Sequence, residues 1–200
     1  MGPAAAATLT KAGQIVMSTW DDDPYYTISI GVHKSRRYHS KMAGFFQSLN
    51  DTVLAANAIL GAGAFMVLLG GKDGGLAKAL IAVVAIGSAI DNVVGFSKKS
   101  KQHSELCRRF TELAADMALW DANEENYKKA VSERIKIEKD EPPVHRLIDL
   151  EARNDELRAR GYSEEWLVPL TNAQRRLGYF FTFGMPRLEE WRDKKRPEAA

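Results

Sequence analysis

Hydrophobic residues in the first half of the chain change from a single helical stripe to a continuous apolar run. After Val32, the apolar positions recur at spacings of three and four, at Tyr38, Met42, Phe45, Leu49 and Val53. This spacing is typical of one buried face of an α-helix. From residue 52 to residue 70 the chain carries no charge and one strongly polar side chain, Asn57. A helix that is apolar on every side must be buried in protein or in lipid.

A second apolar run follows at residues 76–96. Its polar interruptions are Lys78, Ser88, Asp91 and Asn92. Each run has about 20 residues, the length of helix that spans roughly 30 Å of hydrocarbon. The glycine-rich residues 70–75 between the runs permit a tight reversal. We therefore predict a transmembrane helical hairpin with spans at about 52–71 and 76–96.

Four polar residues of the predicted spans form the candidate functional site. Folding the chain at the glycines places Asn57 at nearly the same depth as Ser88, Asp91 and Asn92. Polar groups in hydrocarbon seek partners, so we expect Asn57 to pair with Asp91 or Asn92. The four residues either lock the two helices together or, contributed by several subunits, line a polar constriction or pore.

Beyond the second run, a heptad-like seam predicts one long polar helix. The seam consists of Leu106, Phe110, Leu113, Met117, Trp120, Tyr127 and Val131. We expect it to pack against the helix that starts at Val32 and to extend the hairpin as a stalk. Pro142 and Pro143 end this helix. A shorter helix is predicted at residues 144–160, and a last one with Ser163 as its N-cap.

These elements predict an all-α protein, in which a two-helix transmembrane hairpin extends into a cytoplasmic helical stalk with shorter C-terminal helices. Residues 1–31 are expected to form a tail without a cleaved signal peptide, residues 32–140 the hairpin and stalk, and residues 141–200 a cytoplasmic extension. The alternative is a soluble bundle with both apolar runs in its core. It is the weaker hypothesis, because the remaining helices supply too little protein to cover the runs.

The formal net charge of +2 conceals two basic clusters that border the apolar runs. Their position favours anionic lipid headgroups over nucleic acid as the partner. The residues expected to contact headgroups are Lys34, Arg36, Arg37, Lys41, Lys98, Lys99 and Lys101. Because Lys and Arg concentrate on the cytoplasmic side of membrane helices, both termini of this multi-pass protein are expected in the cytoplasm.

Catalytic chemistry is not indicated. Cys107 is the single cysteine, which excludes an intrachain disulfide and a cysteine metal cage. The four histidines, at positions 33, 39, 103 and 145, lack zinc-site spacing and are expected at the surface or near headgroups. We predict no catalytic residue, metal or cofactor, and no enzyme. The aromatic residues 179–183 are expected either to touch the membrane interface or to pack against the stalk.

Several segments together resemble the SLATT family of two-transmembrane proteins. They are the run HKSRRYHSKMAGFFQSLNDTVLAANAILGAGAFMVLL, the glycine turn, the second span ending in KKSKQHSELCRRFTELA, and EPPVHRLIDLEARNDELRARGY. The similarity covers about residues 31–162. The part of the chain from Ser163 onward looks like a subtype extension.

The resemblance implies a homo-oligomeric bacterial effector in the cell inner membrane, pore-forming or membrane-disrupting, in an antiviral defence or nucleotide-signalling system. It implies a nucleotide second-messenger synthase, a nucleotide sensor or a reverse transcriptase encoded nearby as partner. The family has no catalytic residues to transfer. The alternative function is a membrane anchor or scaffold whose cytoplasmic helices recruit a partner protein.

Overall fold

The computed structural model describes residues 23–70 and 74–195, and this part of the chain is all-α without a β-strand, which confirms the predicted fold class. The long helix α1 pairs antiparallel with α2 and α3, which follow one another almost without interruption. In chain order the helices are α1 (Pro24–Leu69), α2 (Gly74–Val94), α3 (Phe96–Leu119), α4 (Glu124–Glu138), α5 (Arg146–Ala159), α6 (Asn172–Leu177) and α7 (Met185–Lys195).

Helix α1 begins at Pro24, not at the predicted Val32. The Asp23 carboxylate accepts a hydrogen bond of 2.8 Å from the Tyr25 amide, and proline suits the first position of a helix. The Tyr25 hydroxyl donates to the Met117 carbonyl at 2.7 Å and ties this first turn to the end of α3. The tail predicted for residues 1–31 is therefore helical from Pro24 onward, and its residues 1–22 lie outside the described residues.

Helices α2 and α3 meet at a bend centred on Gly95. The glycine has φ 65° and ψ 54°, a left-handed conformation that costs other residues about 1–2 kcal/mol. Hydrogen bonding continues through the bend, because the Gly95 amide donates to the Asp91 carbonyl at 2.7 Å and the Lys99 amide to the Gly95 carbonyl at 2.9 Å. The two helices thus behave as one arm with a fixed change of direction.

The stalk consists of residues 24–51 of α1 packed against α3. Its core contains Val32 from α1 and the predicted seam residues Leu106, Phe110, Leu113 and Met117 from α3. The seam therefore faces α1, as its periodicity predicts.

The prediction of one helix through residue 131 is wrong, because α3 ends at Leu119 and α4 folds back along it. The Asn123 side chain caps α4 by accepting a hydrogen bond of 2.8 Å from the Asn126 amide. The Lys129 ammonium lies 4.2 Å from the centre of the Trp120 ring and holds the two helices together at the reversal. Residues Tyr127 and Val131 still pack against the stalk core, but from α4.

The helix predicted from Ser163 is also wrong, since a short 3-10 helix at Glu164–Trp166 is followed by an extended segment through Pro169. Proline lacks an amide hydrogen and disfavours helical geometry at Val168. The buried Asn154 side chain of α5 holds this segment, donating to the Val168 carbonyl and accepting from its amide, both at 2.8 Å. Helix α6 then starts at a capping box formed by Thr171 and Gln174.

Residues 52–69 of α1 and all of α2 form what we call the apolar hairpin. Both helical arms are long and apolar enough to cross a membrane, with a mean hydropathy of 2.0 over the most apolar 18-residue stretch of each. Of each stretch, 6% is buried. Most side chains that do not face the partner helix are apolar and exposed, as at Phe65 and Val93, and Lys78 and Asn92 are exposed polar residues of α2.

Candidate functional site

The polar residues inside the apolar hairpin form one hydrogen bond between its helices. The Asn57 amide nitrogen donates to the Ser88 hydroxyl at 3.1 Å. Gly87 lies beside this contact, and a Cβ atom there would meet the Asn57 side-chain oxygen at 3.5 Å, an ordinary van der Waals distance. The prediction that Asn57 pairs with Asp91 or Asn92 is wrong, since the helix register presents Ser88 to α1 instead.

Asp91 and Asn92 are placed differently from this pair. One oxygen of the Asp91 carboxyl group is buried and has no hydrogen-bond partner among the described residues. Asn92 is exposed on the outer side of α2. The four predicted residues therefore divide into a satisfied pair, Asn57 and Ser88, and two groups whose hydrogen bonding the described chain does not complete.

Three of the basic residues predicted to contact headgroups form ion pairs with α5. Lys34, Arg37 and Lys41 lie on the stalk part of α1, and Lys34 is roughly 27 Å along the helix axis from Thr52. Their partners on α5 are Asp149, Glu156 and Asp155, at nitrogen–oxygen distances of 2.8, 2.8 and 2.9 Å. In the structure these three side chains therefore contact carboxylates of α5 in the same chain and not lipid.

The remaining basic residues have a different setting. Lys98, Lys99 and Lys101 are exposed at the start of α3, directly below the apolar hairpin. The Lys99 ammonium lies 5.4 Å from the centre of the Phe46 ring. Arg36 lies half-buried on the stalk part of α1. Headgroup contact stays a prediction for these four residues, and the position of the three lysines suits it best.

The ion pairs between α1 and α5 centre on a buried carboxylate. Glu156 is 3% exposed and accepts hydrogen bonds from Arg37 at 2.8 Å and from Arg160 at 2.6 Å. Burial alone would raise the pKa of Glu156, but the hydrogen bonds from the two guanidinium groups hold the pKa below its usual value. A charged Glu156 therefore joins α5 to the stalk.

Two histidines expected at the surface are buried in the stalk, where they meet each other. The Nδ1 atoms of His39 and His103 lie 2.8 Å apart, and His39 Nε2 lies 3.1 Å from a Glu141 carboxylate oxygen. The rings of Phe110 and Phe46 stack on His39 and His103 respectively. The surface prediction is wrong for this pair. One available signal was spacing, since His103 continues the four-and-three seam of α3 by one step before Leu106.

The short contact between the two imidazoles restricts their protonation. One Nδ1 atom must donate and the other must accept, so both rings cannot be fully protonated in this geometry. Burial, with further contributions from His39 and His145, lowers the pKa of His103 to about 4. A neutral His103 thus connects α3 to α1, and through His39 to the Glu141 carboxylate that follows α4.

Metal ligation finds no support within residues 23–70 and 74–195, where no three His, Cys, Asp or Glu side chains are grouped to hold an ion. Comparisons with models of known protein families, with curated proteins and with solved structures found no match. The functional inference therefore depends on the geometry of the apolar hairpin and of its polar residues.

Proposed function

We propose that this chain is a bacterial inner-membrane effector whose apolar hairpin inserts into the bilayer, self-associates and perturbs the membrane when triggered. The observation that carries this proposal is the exposure of the apolar hairpin, of whose most apolar stretches 6% is buried. The resemblance to the SLATT family supplies the biological setting, including a partner that makes or senses a nucleotide signal.

Exposure distinguishes this hairpin from the core of a soluble bundle. A core helix can be as long and as apolar, but its side chains are covered by protein, whereas Val93 is 87% exposed here. Apolar surface in water costs about 25 cal/mol per Å². In a bilayer the same Leu, Ile, Phe and Val side chains each favour insertion by about 0.3–0.6 kcal/mol. Lipid is the environment that suits this surface.

Charge supports an orientation with both ends of the hairpin in the cytoplasm. The exposed lysines at positions 98, 99 and 101 lie at the open end, below α2. The sequence between α1 and α2 contains one Lys and one Asp. Because positive charge accumulates on the cytoplasmic side, the stalk and the C-terminal helices belong to the cytoplasm.

Self-association would satisfy the two incomplete polar groups. A carboxylate costs about 2.5–3.5 kcal/mol at the centre of a membrane helix and less near its ends. The exposed amide of Asn92 would find hydrogen-bond partners on a second copy of the hairpin, and the Asp91 carboxylate, one oxygen of which is buried without a partner, would reach such partners after rotation of its side chain. Several copies would place these groups around a polar path through the bilayer.

A second candidate function, a membrane anchor that recruits a partner protein, is favoured by the rigid attachment of α5. Ion pairs of Lys34, Arg37 and Lys41 hold α5 against the stalk. This arrangement presents a folded surface at a fixed place below the membrane.

Membrane integration is tested by fractionation. The full chain is expected in the membrane fraction, resistant to alkaline carbonate and released by detergent, because its hairpin is solvated by lipid. Phe65→Arg combined with Ile86→Arg should shift most of the protein out of the membrane, while Leu119→Arg, at an 86% exposed apolar position outside the hairpin, should not. A wild-type chain that stays monodisperse in plain buffer would contradict the proposal.

A measurement of membrane potential distinguishes the effector function from the anchor function. Induced expression together with the trigger system is expected to depolarise cells, and Asp91→Ala should reduce the depolarisation at least tenfold by removing the polar path. Asn57→Leu should also reduce it, because the substitution removes the Asn57–Ser88 hydrogen bond that joins α1 to α2 within the hairpin. Ile90→Leu is the apolar control. Unchanged potential with wild-type protein would favour the anchor, and unchanged depolarisation with Asp91→Ala would exclude the polar path.

A further inference from the structure

Exposed aromatic residues lie in the turn between α6 and α7. We call residues 177–183 the aromatic loop; Phe180 is 53% exposed and Phe181 65% exposed, and Leu177 and Phe183 are also exposed. Four large apolar side chains are thus grouped on one short segment, as happens where a protein meets a partner or a membrane.

Contacts with α1 fix the position of the aromatic loop. The Tyr179 ring stacks on the Phe45 ring with 4.4 Å between centroids, and the Phe180 ring packs edge-on against Phe45 at 5.1 Å. Phe45 precedes Thr52 by about 10 Å along the helix axis. The headgroup layer on one side of a bilayer is roughly 5–8 Å thick. With Thr52 at the edge of the hydrocarbon, Phe45 lies roughly 2–5 Å outside the headgroup layer, and a phenylalanine side chain of the aromatic loop is long enough to span that distance.

The apolar contacts continue from the aromatic loop to the hairpin without a gap. One hydrophobic cluster contains Tyr179, Phe45, Leu49 and Val53, the last of which lies within the apolar run. The aromatic loop consequently extends the surface that we assign to lipid, and it does so on the side of α1 that faces the C-terminal helices.

Exposed positive charge lies at this level of the molecule, and the two carboxylates that act on Tyr179, Glu151 and Asp155, both pair with Lys41. Arg176 is exposed next to Leu177, and Lys98 and Lys101 are exposed at the start of α3. Lys99 lies over the Phe46 ring, one residue from the Phe45 that holds the aromatic loop. Aromatic side chains flanked by Lys and Arg are the composition that proteins use at the surface of anionic membranes.

We propose that the aromatic loop is a membrane-interface anchor that inserts Phe180 and Phe181 among anionic lipid headgroups beside the hairpin. This inference depends on the proposed function, because insertion of the hairpin sets the level of the loop. The C-terminal helices are then held at two places, by ion pairs of α5 to the stalk and by lipid contact of the aromatic loop.

Site-specific quenching tests the anchor in the full chain. Cys107→Ser provides a cysteine-free background, into which Phe65→Cys, Phe181→Cys or Leu119→Cys is introduced and labelled with an environment-sensitive fluorophore. The protein is reconstituted into phosphatidylcholine–phosphatidylglycerol vesicles that contain lipids spin-labelled near the headgroup or in the acyl chain. We expect quenching at Phe65 and at Phe181, with headgroup-level labels the more effective at Phe181, and at least threefold less quenching at Leu119.

The labels at Phe65, Phe181 and Leu119 distinguish failure of the interface anchor from failure of hairpin insertion. Quenching at Phe65 together with quenching at Phe181 no stronger than at Leu119 would overturn the anchor and leave the inserted hairpin intact. Absence of quenching at Phe65 would overturn the proposed function itself. Quenching at Phe181 that weakens when phosphatidylglycerol is omitted would support the role of the surrounding Lys and Arg side chains.

Discussion

Acidification from pH 7 to pH 4 is expected to lower the free energy of unfolding by roughly 2–3 kcal/mol through His103 alone. Burial and the neighbouring His39 and His145 lower the pKa of His103 to about 4, while an unfolded histidine titrates near pH 6.5. Between pH 6.5 and pH 4 the unfolded chain therefore binds a proton at His103 that the folded chain does not bind. The contribution of His103 to the free energy of unfolding is fully present above pH 6.5 and is lost progressively as the pH falls towards 4.

The measurement is thermal denaturation of the full chain in detergent micelles between pH 7 and pH 5. In this window the histidines of the unfolded chain titrate and most carboxylates remain charged, Glu156 among them because its pKa is lowered. His103→Phe should flatten the dependence of the melting temperature on pH. The titratable groups that face the His103 imidazole are His39, His145, Glu141 and Lys99. The substitution leaves these four side chains in place. Equal slopes in the wild type and the variant would contradict the prediction.

Protonation should also loosen the stalk itself. Two fully protonated rings cannot keep the 2.8 Å contact between the Nδ1 atoms of His39 and His103. Acid is therefore expected to separate α1 from α3 first where these histidines meet, which hydrogen exchange of the adjacent backbone amides would show.

Glu156→Ala is expected to destabilise the packing of α5 on the stalk by about 3–5 kcal/mol. The substitution leaves the guanidinium groups of Arg37 and Arg160 without the carboxylate that both of them contact. A partly buried charge that loses its partner keeps its desolvation penalty. Hydrogen exchange should show loss of protection in α5, and the melting temperature should fall.

Glu164→Ala is the matched control for this effect. The Glu164 carboxylate also pairs with an arginine, Arg158, but its side chain is 79% exposed. Exposed ion pairs contribute about 0–1 kcal/mol, so the control should leave α5 protected. If both substitutions had the same small effect, Glu156 would not be what joins α5 to the stalk.

Local sequence was sufficient to predict the apolar hairpin and the packing face of α3. Two predominantly apolar runs of membrane length, the second interrupted by Lys78 and Asp91, define which segments avoid water, and no knowledge of distant residues is needed for that. The four-and-three spacing from Leu106 to Met117 likewise defines one face of a helix, and that face does pack against α1. Both features follow from residues within a few turns of one another.

The reversal after Leu119 could not be predicted in this way. Tyr127 and Val131 keep the spacing of the seam, so a straight helix and a helix that folds back at Asn123 satisfy the same hydrophobic pattern. The capping hydrogen bond of Asn123 is a local signal that the hydrophobic spacing does not register, and the contact of Lys129 with Trp120 forms only when the two helices pack.

The sequence by itself determined that this protein has two consecutive apolar helices, a helical stalk, and a basic cluster beside each apolar helix. Only the tertiary structure decided that Asn57 meets Ser88, that Lys34 meets Asp149, and that His39 meets His103. Periodicity fixes which side of a helix is apolar, but the partner of a polar side chain depends on the axial register and rotation of helices far apart in the chain, which are set by the packing of the whole molecule.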